Sequence, residues 1–272
     1  MAELTDAAFV ALTDKISREK GFGCASYKEK CLRRRIAVRM RARGVHTYAD
    51  YARVLDTDTH EYERLLDALT INVTRLFRNW ETYAAIAEKV VPQLWDREGS
   101  PINVWSAGCS SGEEPYSLAV LFHHYAELKG QARDVDRRVR VLGSDIDVRC
   151  LAAAEQAGFE EADFNDTPPE LRSRYFNPAP PYTVTPEIRR LVRFERRDLL
   201  ADPVPPGQFQ AVCCRNVLIY FDRETQERLF EKFHQALAPN GFLILGKVET
   251  LLGTARTRFA PVDGRERIYR PL

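Results

Sequence analysis

One stretch constrains this chain more than any other: Val104-Trp105-Ser106-Ala107-Gly108-Cys109-Ser110-Ser111-Gly112-Glu113-Glu114-Pro115. A short apolar run, Ile102 to Trp105, enters a turn with two glycines. A helical pattern through Leu118, Val120, Leu121 and Phe122 leaves it. Glycines let backbone approach a ligand closely, and a helix N-terminus offers N–H groups with no partner in the helix. A strand, a glycine turn and a helix in that order call for further strands laid parallel to the first.

The rest of the chain supplies them. Val139 to Gly143 reads as the next strand, Val148 to Ala157 as the next helix, and Phe209 to Cys214 as a third strand. A helix follows from about Asp222 to Leu237. Pro239-Asn240-Gly241 is a sharp turn into the strand Phe242 to Leu245, and Arg267 to Arg270 is a last strand. This alternation predicts an α/β fold: a mostly parallel sheet with helices on both faces. Residues 160–195 interrupt it with six prolines and two β-like runs, Tyr182 to Val184 and Leu191 to Phe194. They read as a small inserted antiparallel β-subdomain.

Residues 1–75 read as an all-helical domain before an α/β domain of residues 76–272. Thr5 is a plausible N-cap for a helix carrying Ala8, Phe9 and Leu12 on one face, and Gly21-Phe22-Gly23 breaks that helix. Leu32, Ile36 and Met40 stripe a second helix, which Gly44 ends. Tyr48, Tyr51 and Leu55 mark a third helix, and Tyr62, Leu65, Leu66 and Leu69 a fourth.

Four places carry chemistry. In the glycine turn the spacing is not the GxGxxG of dinucleotide binders, and Glu113 and Glu114 stand where a pyrophosphate would rest. That disfavours an anionic ligand and suits a cationic one, such as the sulfonium and amino group of S-adenosylmethionine. The same acids would also serve an ordinary turn by facing the helix dipole. At the end of the second strand, Asp145 is placed to accept hydrogen bonds from ribose hydroxyls. Asp147 is placed to cap the next helix, and both could be caps. Asn216 and Tyr220 follow the third strand, at the sheet edge where parallel α/β folds bind ligands. Methyltransferases of base amines usually carry an Asn/Asp-Pro-Pro-aromatic run there, and this chain does not. Asn72-Val73-Thr74-Arg75-Leu76-Phe77-Arg78 lies between the helical and α/β parts.

Charge narrows the partners. The formal net charge is +1, yet eight of the sixteen residues from Lys28 to Arg43 are basic and one is acidic. That is a local positive surface on a nearly neutral chain. The six cysteines form no CxxC pair and have no histidine at metal-ligand spacing, so they read as reduced and structural, with no metal. No apolar run is long enough to span a bilayer, and the acidic, amphipathic N-terminus does not read as a secretory signal. A cytoplasmic location is expected, with no membrane insertion and no nucleic acid partner.

Taken together, these motifs resemble the CheR-type chemotaxis receptor methyltransferases over nearly the whole chain. Asn72 to Arg78 is similar to the family's N-x-T-x-F-F-R, with Leu76 in place of the first phenylalanine. Trp105 to Ser117 matches W-S-A-x-x-S-x-G-E-E-P-Y-S. Gly143 to Asp147 resembles the family's S-D-I-D, and Arg215 to Phe221 resembles its C-R-N-V-x-I-Y-F. Glu249 stands in G-K-V-E, where relatives often have G-H-S-E. The resemblance implies an N-terminal helical domain and a Rossmann-like S-adenosylmethionine-dependent methyltransferase domain with an inserted β-subdomain. It implies cofactor contacts by Asn72, Thr74, Arg78, Glu113, Asp145, Asp198, Leu199, Asn216 and Val217. Arg78 and Tyr220 match positions bordering the reacting methyl.

The implied reaction moves a methyl group from S-adenosylmethionine to a receptor glutamate, giving a methyl ester and S-adenosylhomocysteine. A glutamate is already ionised at neutral pH, so no strong general base is required. The receptor's methylated region is helical and acidic, and Lys28, Arg35 and Arg39 are expected to steer it. Relatives that dock on a receptor's C-terminal pentapeptide carry extra glycines in the β-insertion. Tyr175 to Phe194 has none, so independence from that tail is expected. Asn79-Trp80-Glu81-Thr82-Tyr83 itself looks like such a pentapeptide, but the motif frame places it at a helix start. Two other readings remain: a cofactor-binding regulator of the same fold, and a methyltransferase acting outside chemotaxis.

Overall fold

The structure, a computed structural model, describes residues 2–70, 72–97 and 101–272, with side chains from residue 7 onward. The chain forms two compact units. One is Met1–Ile71 with Tyr220–Thr225, and the other is Asn72–Ile219 with Gln226–Leu272.

The first unit holds helices α1 (Ala2–Lys20), α2 (Glu29–Ala42), α3 (Tyr48–Thr57) and α4 (Thr59–Leu69). Apolar residues at helical spacing meet in one core, including Phe9, Leu12, Ile16, Leu32, Ile36, Met40, Tyr51, Leu55, Leu65 and Leu69. Thr47 caps α3 by accepting the Asp50 N–H, and Asp58 caps α4 by accepting the Glu61 N–H. Because α1 starts at Ala2, Thr5 does not stand at its N-cap, and its side chain lies outside the described residues. One carboxylate, Glu61, is fully buried in this unit. Arg39 grips it with two hydrogen bonds of 3.0 and 2.6 Å, and the Tyr51 hydroxyl donates at 2.8 Å. Burial opposes the charge on Glu61, but the Arg39 and Tyr51 hydrogen bonds prevail and hold its pKa below the usual value.

The second unit opens with α5 (Trp80–Lys89) and α6 (Val91–Trp95). After them come β1 (Ile102–Ala107), α7 (Glu113–Leu128), α8 (Val135–Arg138), β2 (Val139–Asp145) and α9 (Val148–Gln156). The insertion comprises β3 (Gly158–Phe159), α10 (Pro169–Tyr175), β4 (Tyr182–Thr183) and α11 (Pro186–Arg189). The chain closes with β5 (Val192–Arg196), β6 (Phe209–Cys214), α12 (Arg223–Ala236), β7 (Leu237–Leu245), α13 (Ala255–Arg258), β8 (Phe259–Asp263) and β9 (Ile268–Pro271). The sheet order is β5-β2-β1-β6-β7-β9-β8. Its first five strands are parallel, and β9 and β8 are antiparallel. Order reverses on either side of β1, so the crevice beyond the carboxyl ends of β1, β2 and β6 is where a ligand is expected.

Two expectations need correction. Leu191 to Phe194 does not belong to the small antiparallel sheet. It becomes β5, the edge strand parallel to β2, with Val141 opposite Val192. The partner of Tyr182–Thr183 is Gly158–Phe159. Pairing on β2 buries Val192, which a two-stranded ribbon could not do. Pro239-Asn240-Gly241 does not start a strand either; it lies inside β7. Asn240 takes a positive φ of 59°, and the register against β6 shifts between Phe209 and Ala211, so the turn is absorbed as a bulge.

All six cysteines are free thiols. Among the described residues, no helix is long and apolar enough to cross a membrane, and no cluster of His, Cys, Asp and Glu could hold a metal ion.

Candidate active site

The glycine turn is shaped by its neighbours. Gly108, Ser110 and Gly112 have φ of 78°, 49° and 96°. The N–H groups of Gly108 and Cys109 donate to the Ser144 carbonyl at 2.8 and 3.0 Å, fastening the turn to the end of β2. A Cβ at Gly108 would lie 2.6 Å from Cγ2 of Val217, so only glycine lets Val217 sit on the turn. Ser110 donates its N–H to Oδ2 of Asp145 at 2.8 Å, and Asp147 donates its N–H to Oδ1 at 3.0 Å. With the Ile146 N–H also close to it, the carboxylate keeps acceptor capacity for a hydroxyl donor. Burial raises its pKa. Asp147 caps α9 by accepting from the Arg149 and Cys150 N–H groups, and its other oxygen accepts the Asn72 side-chain amide at 3.0 Å.

The two adjacent glutamates have different roles. Glu113, the first residue of α7, is 5% exposed. Its partners are hydroxyls: Ser111 Oγ lies 2.9 Å from both of its oxygens, and Thr74 lies beside it. Burial pushes its pKa up to about 7. Glu114 turns into the interior instead. It accepts from Ser106 Oγ at 2.8 Å and stands 3.7 Å from Nη1 of buried Arg215. Glu114 is therefore a structural anion rather than a cofactor ligand.

Arg215 extends that interior network to Arg78, donating to its carbonyl at 2.7 Å. The segment 72–79 is pinned along its length. The Leu76 N–H donates to the Asp163 carbonyl, the Phe77 N–H to Ser117 Oγ, and the Asn79 N–H to Oδ2 of Asp166. Leu76 and Phe77 are fully buried, so position 76 asks for an apolar side chain. The Arg78 guanidinium donates through Nη1 to the Val73 carbonyl at 2.8 Å. Thr82 and Tyr83 are also fully buried, which removes the 79–83 segment as a docking peptide.

Asp198 folds over its own turn, accepting the N–H groups of Leu200 and Ala201 at 2.8 and 3.3 Å. Lys232 donates to the Leu199 and Asp202 carbonyls at 2.5 and 2.9 Å, fixing the backbone of buried Leu199. Sequence reading missed Lys232, because nothing near it in the chain marks an amine aimed at carbonyls thirty residues away. It also missed Glu249 as an organiser of the loop after β6. The signal was there: an acid three residues past Gly246, at the end of a strand next to β6.

The helical unit holds the remaining candidates. Tyr220 belongs to that unit, with the Arg35 guanidinium 4.9 Å from its ring centre. The Lys28 N–H donates to the Tyr220 carbonyl at 2.9 Å. Arg35 also donates to the Ala68 carbonyl at 3.2 Å and to that of Leu69. Of the three expected docking residues, only Lys28 is exposed. Arg39 is spent on Glu61, and Arg35 on carbonyls and the tyrosine ring. Arg35 and Arg39, expected to steer the receptor, are both half-buried and give hydrogen bonds to groups within their own unit. The exposed basic residues on or beside α2 are Lys28, Lys30, Arg34, Arg41 and Arg43, and Arg43 pairs with Asp58 at 2.9 Å.

The residues present fit S-adenosylmethionine. A buried acid with no cationic side chain hydrogen-bonded to it suits an ammonium, Asp145 stands at the end of β2 where a ribose would lie, and the Gly108 cradle admits Val217.

Comparisons with known proteins agree. The description "CheR methyltransferase, SAM binding domain" fits residues 72–268, and "CheR methyltransferase, all-alpha domain" fits residues 7–70. The chain is 31% identical over 248 residues to a chemotaxis protein methyltransferase of Listeria innocua, covering 91% of each chain. It is 34% identical over 262 residues to one of Klebsiella aerogenes, covering 93% of this chain and 86% of that one. It is also 35% identical over 249 residues to an uncharacterized 104.1 kDa protein of Rhodobacter capsulatus, covering 90% of this chain and only 26% of that longer protein. The chain belongs to the CheR methyltransferase family, whose cofactor is S-adenosylmethionine.

Proposed function

We propose that this protein methylates glutamate side chains of chemoreceptors, forming methyl esters and S-adenosylhomocysteine. The observation that carries this reading is the joining of four separate motifs at one end of a parallel sheet. Val217 sits on Gly108, Ser110 on Asp145, Asn72 on Asp147, and Arg215 on the Arg78 carbonyl.

S-adenosylmethionine supplies an electrophilic methyl group on a sulfonium. Glu113 holds the ammonium of its amino-acid end, with Thr74 and Ser111 orienting the carboxylate. Asp145 accepts the ribose hydroxyls, and Asn72 keeps Asp147 and the start of α9 in place beside it. Asp198, Leu199, Asn216 and Val217 complete the cofactor wall. Arg78 keeps N–H groups beyond the one given to Val73, and these hold the incoming glutamate as a fork. The nucleophile is ionised at neutral pH, so alignment rather than proton abstraction is the enzyme's task.

The partner is the acidic helical region of a chemoreceptor in the cytoplasm, approached through Lys28, Lys30, Arg34 and Arg41. Neither a C-terminal pentapeptide nor nucleic acid is required. The decisive experiment incubates the protein with methyl-labelled S-adenosylmethionine and receptor-bearing membranes, then counts volatile methanol released by mild alkali. Release establishes a carboxyl ester. Label that survives alkali would assign another substrate, and absence of transfer with cofactor still bound would leave a regulator.

A further inference from the structure

Glu249 follows β7 and is buried, with 4% exposure. Its carboxylate lies under the loop after β6. Oε2 accepts the Gly246 N–H at 2.7 Å and the Asn216 N–H at 3.0 Å, and Oε1 accepts the Ile219 N–H at 3.3 Å. Asn216 needs such support. Its φ is 62°, a left-handed conformation that a non-glycine residue adopts at a cost. Gly246 completes the seat. A Cβ there would come within 2.8 Å of Oε2 of Glu249 and 2.9 Å of the Asn216 nitrogen. Gly246 has no positive φ, so the glycine is required for space rather than for backbone freedom.

We propose that Glu249 is a positioning residue for the cofactor: its carboxylate, reached through the gap at Gly246, fixes Asn216 and Val217 in the conformation that binds S-adenosylmethionine. This rests on the reading of Asn216 and Val217 as cofactor contacts. A single anion accepting three N–H groups is hard to replace. A glutamine of the same shape has one acceptor oxygen and turns an NH₂ toward a backbone N–H, leaving a buried donor without a partner.

The test uses the full chain and S-adenosylhomocysteine, in three measurements: calorimetric affinity and stoichiometry, thermal melting, and hydrogen exchange across residues 214–221. In the wild type, ligand should protect that peptide. Glu249→Gln should weaken binding about tenfold or more at unchanged stoichiometry. Gly246→Ala, which leaves Glu249 in the chain but crowds both its carboxylate and the Asn216 nitrogen, should do the same. A merely destabilised enzyme would instead lose stoichiometry and keep its Kd. Should Glu249→Gln fail to fold, Gly246→Ala decides. Wild-type protection with unchanged affinity in the folded variants would overturn the proposal alone. Binding without protection of 214–221 would overturn the cofactor reading of the loop, and this proposal with it.

Discussion

Arg215 and Glu114 face each other across 3.7 Å in the interior of the α/β unit. Arg215 also reaches the Arg78 carbonyl, and Glu114 reaches Ser106 on β1. An ion pair this deep links the β1 strand, the loop after β6 and the segment carrying Arg78. Removing one partner strands the other charge in a place water cannot reach. Arg215→Met should cost about 3–5 kcal/mol of stability, read from denaturant unfolding. The double variant Arg215→Met, Glu114→Gln should recover part of that loss. Equal stability of wild type and the single variant would refute the pair's structural role.

Glu113 gives the site a pH dependence of known sign. Its pKa is raised from 4.5 to about 7 when folded. Between those values the folded chain keeps a proton that the unfolded chain has released. The free protein should therefore lose stability as pH rises from 4.5 to about 7, by roughly 3 kcal/mol in total. Binding runs the other way, because an ammonium prefers the ionised carboxylate. Affinity for S-adenosylhomocysteine should rise between pH 6 and pH 8, and both slopes should flatten in Glu113→Gln. Calorimetry and unfolding across that range check the pair of slopes.

Arg78 separates binding from catalysis. Arg78→Lys keeps a positive charge and loses the planar fork. Turnover should fall at least tenfold while affinity for S-adenosylhomocysteine changes much less. A parallel loss of both would place Arg78 among the cofactor ligands only.

On α2, outward and inward bases should behave differently. Charge reversal at Lys30, Arg34 and Arg41 should raise KM for receptor and reduce its salt dependence, with the melting temperature little changed. Arg39→Met should act on stability, because it leaves Glu61 charged and buried; the expected cost is about 3–5 kcal/mol. Receptor titrations at two salt concentrations, with melting curves alongside, distinguish the two classes.

A synthetic receptor-tail pentapeptide should show no micromolar binding in calorimetry. The insertion's sheet is only two residues wide on each strand and has no glycine between Tyr175 and Phe194.

What could be read from sequence was whatever local spacing controls. The glycine turn, the Asp147 cap and the helical stripes of α2 to α4 all follow from neighbours within a few residues. The failures share a different cause. Leu191 to Phe194 looks like one strand of a ribbon until β2 is there to pair with it. Pro239-Asn240-Gly241 looks like a turn until β6 absorbs it as a bulge. Arg39 looks like a surface charge because Glu61, its partner, lies twenty-two residues away on another helix. Asp145 and Glu113 stand in motifs that local spacing marks, and Ser110 and Ser111 of the glycine turn bond them. Lys232 acts on carbonyls thirty residues away and leaves no local mark, whereas Glu249 is marked by its place three residues past Gly246.

The chain's return to the helical unit at Tyr220–Thr225 has a practical consequence for dissecting the protein. Tyr27 pairs with Phe221 in an antiparallel bridge, and Asp222 donates its N–H to the Ser26 carbonyl. An expression fragment cut at residue 71 would leave Ser26 to Lys28 without these backbone partners. A fragment beginning at residue 72 would carry Phe221 and Asp222 without their partners, just before α12. Separating the units would therefore require grafting Tyr220–Thr225, which includes the first turn of α12, as well as choosing a cut.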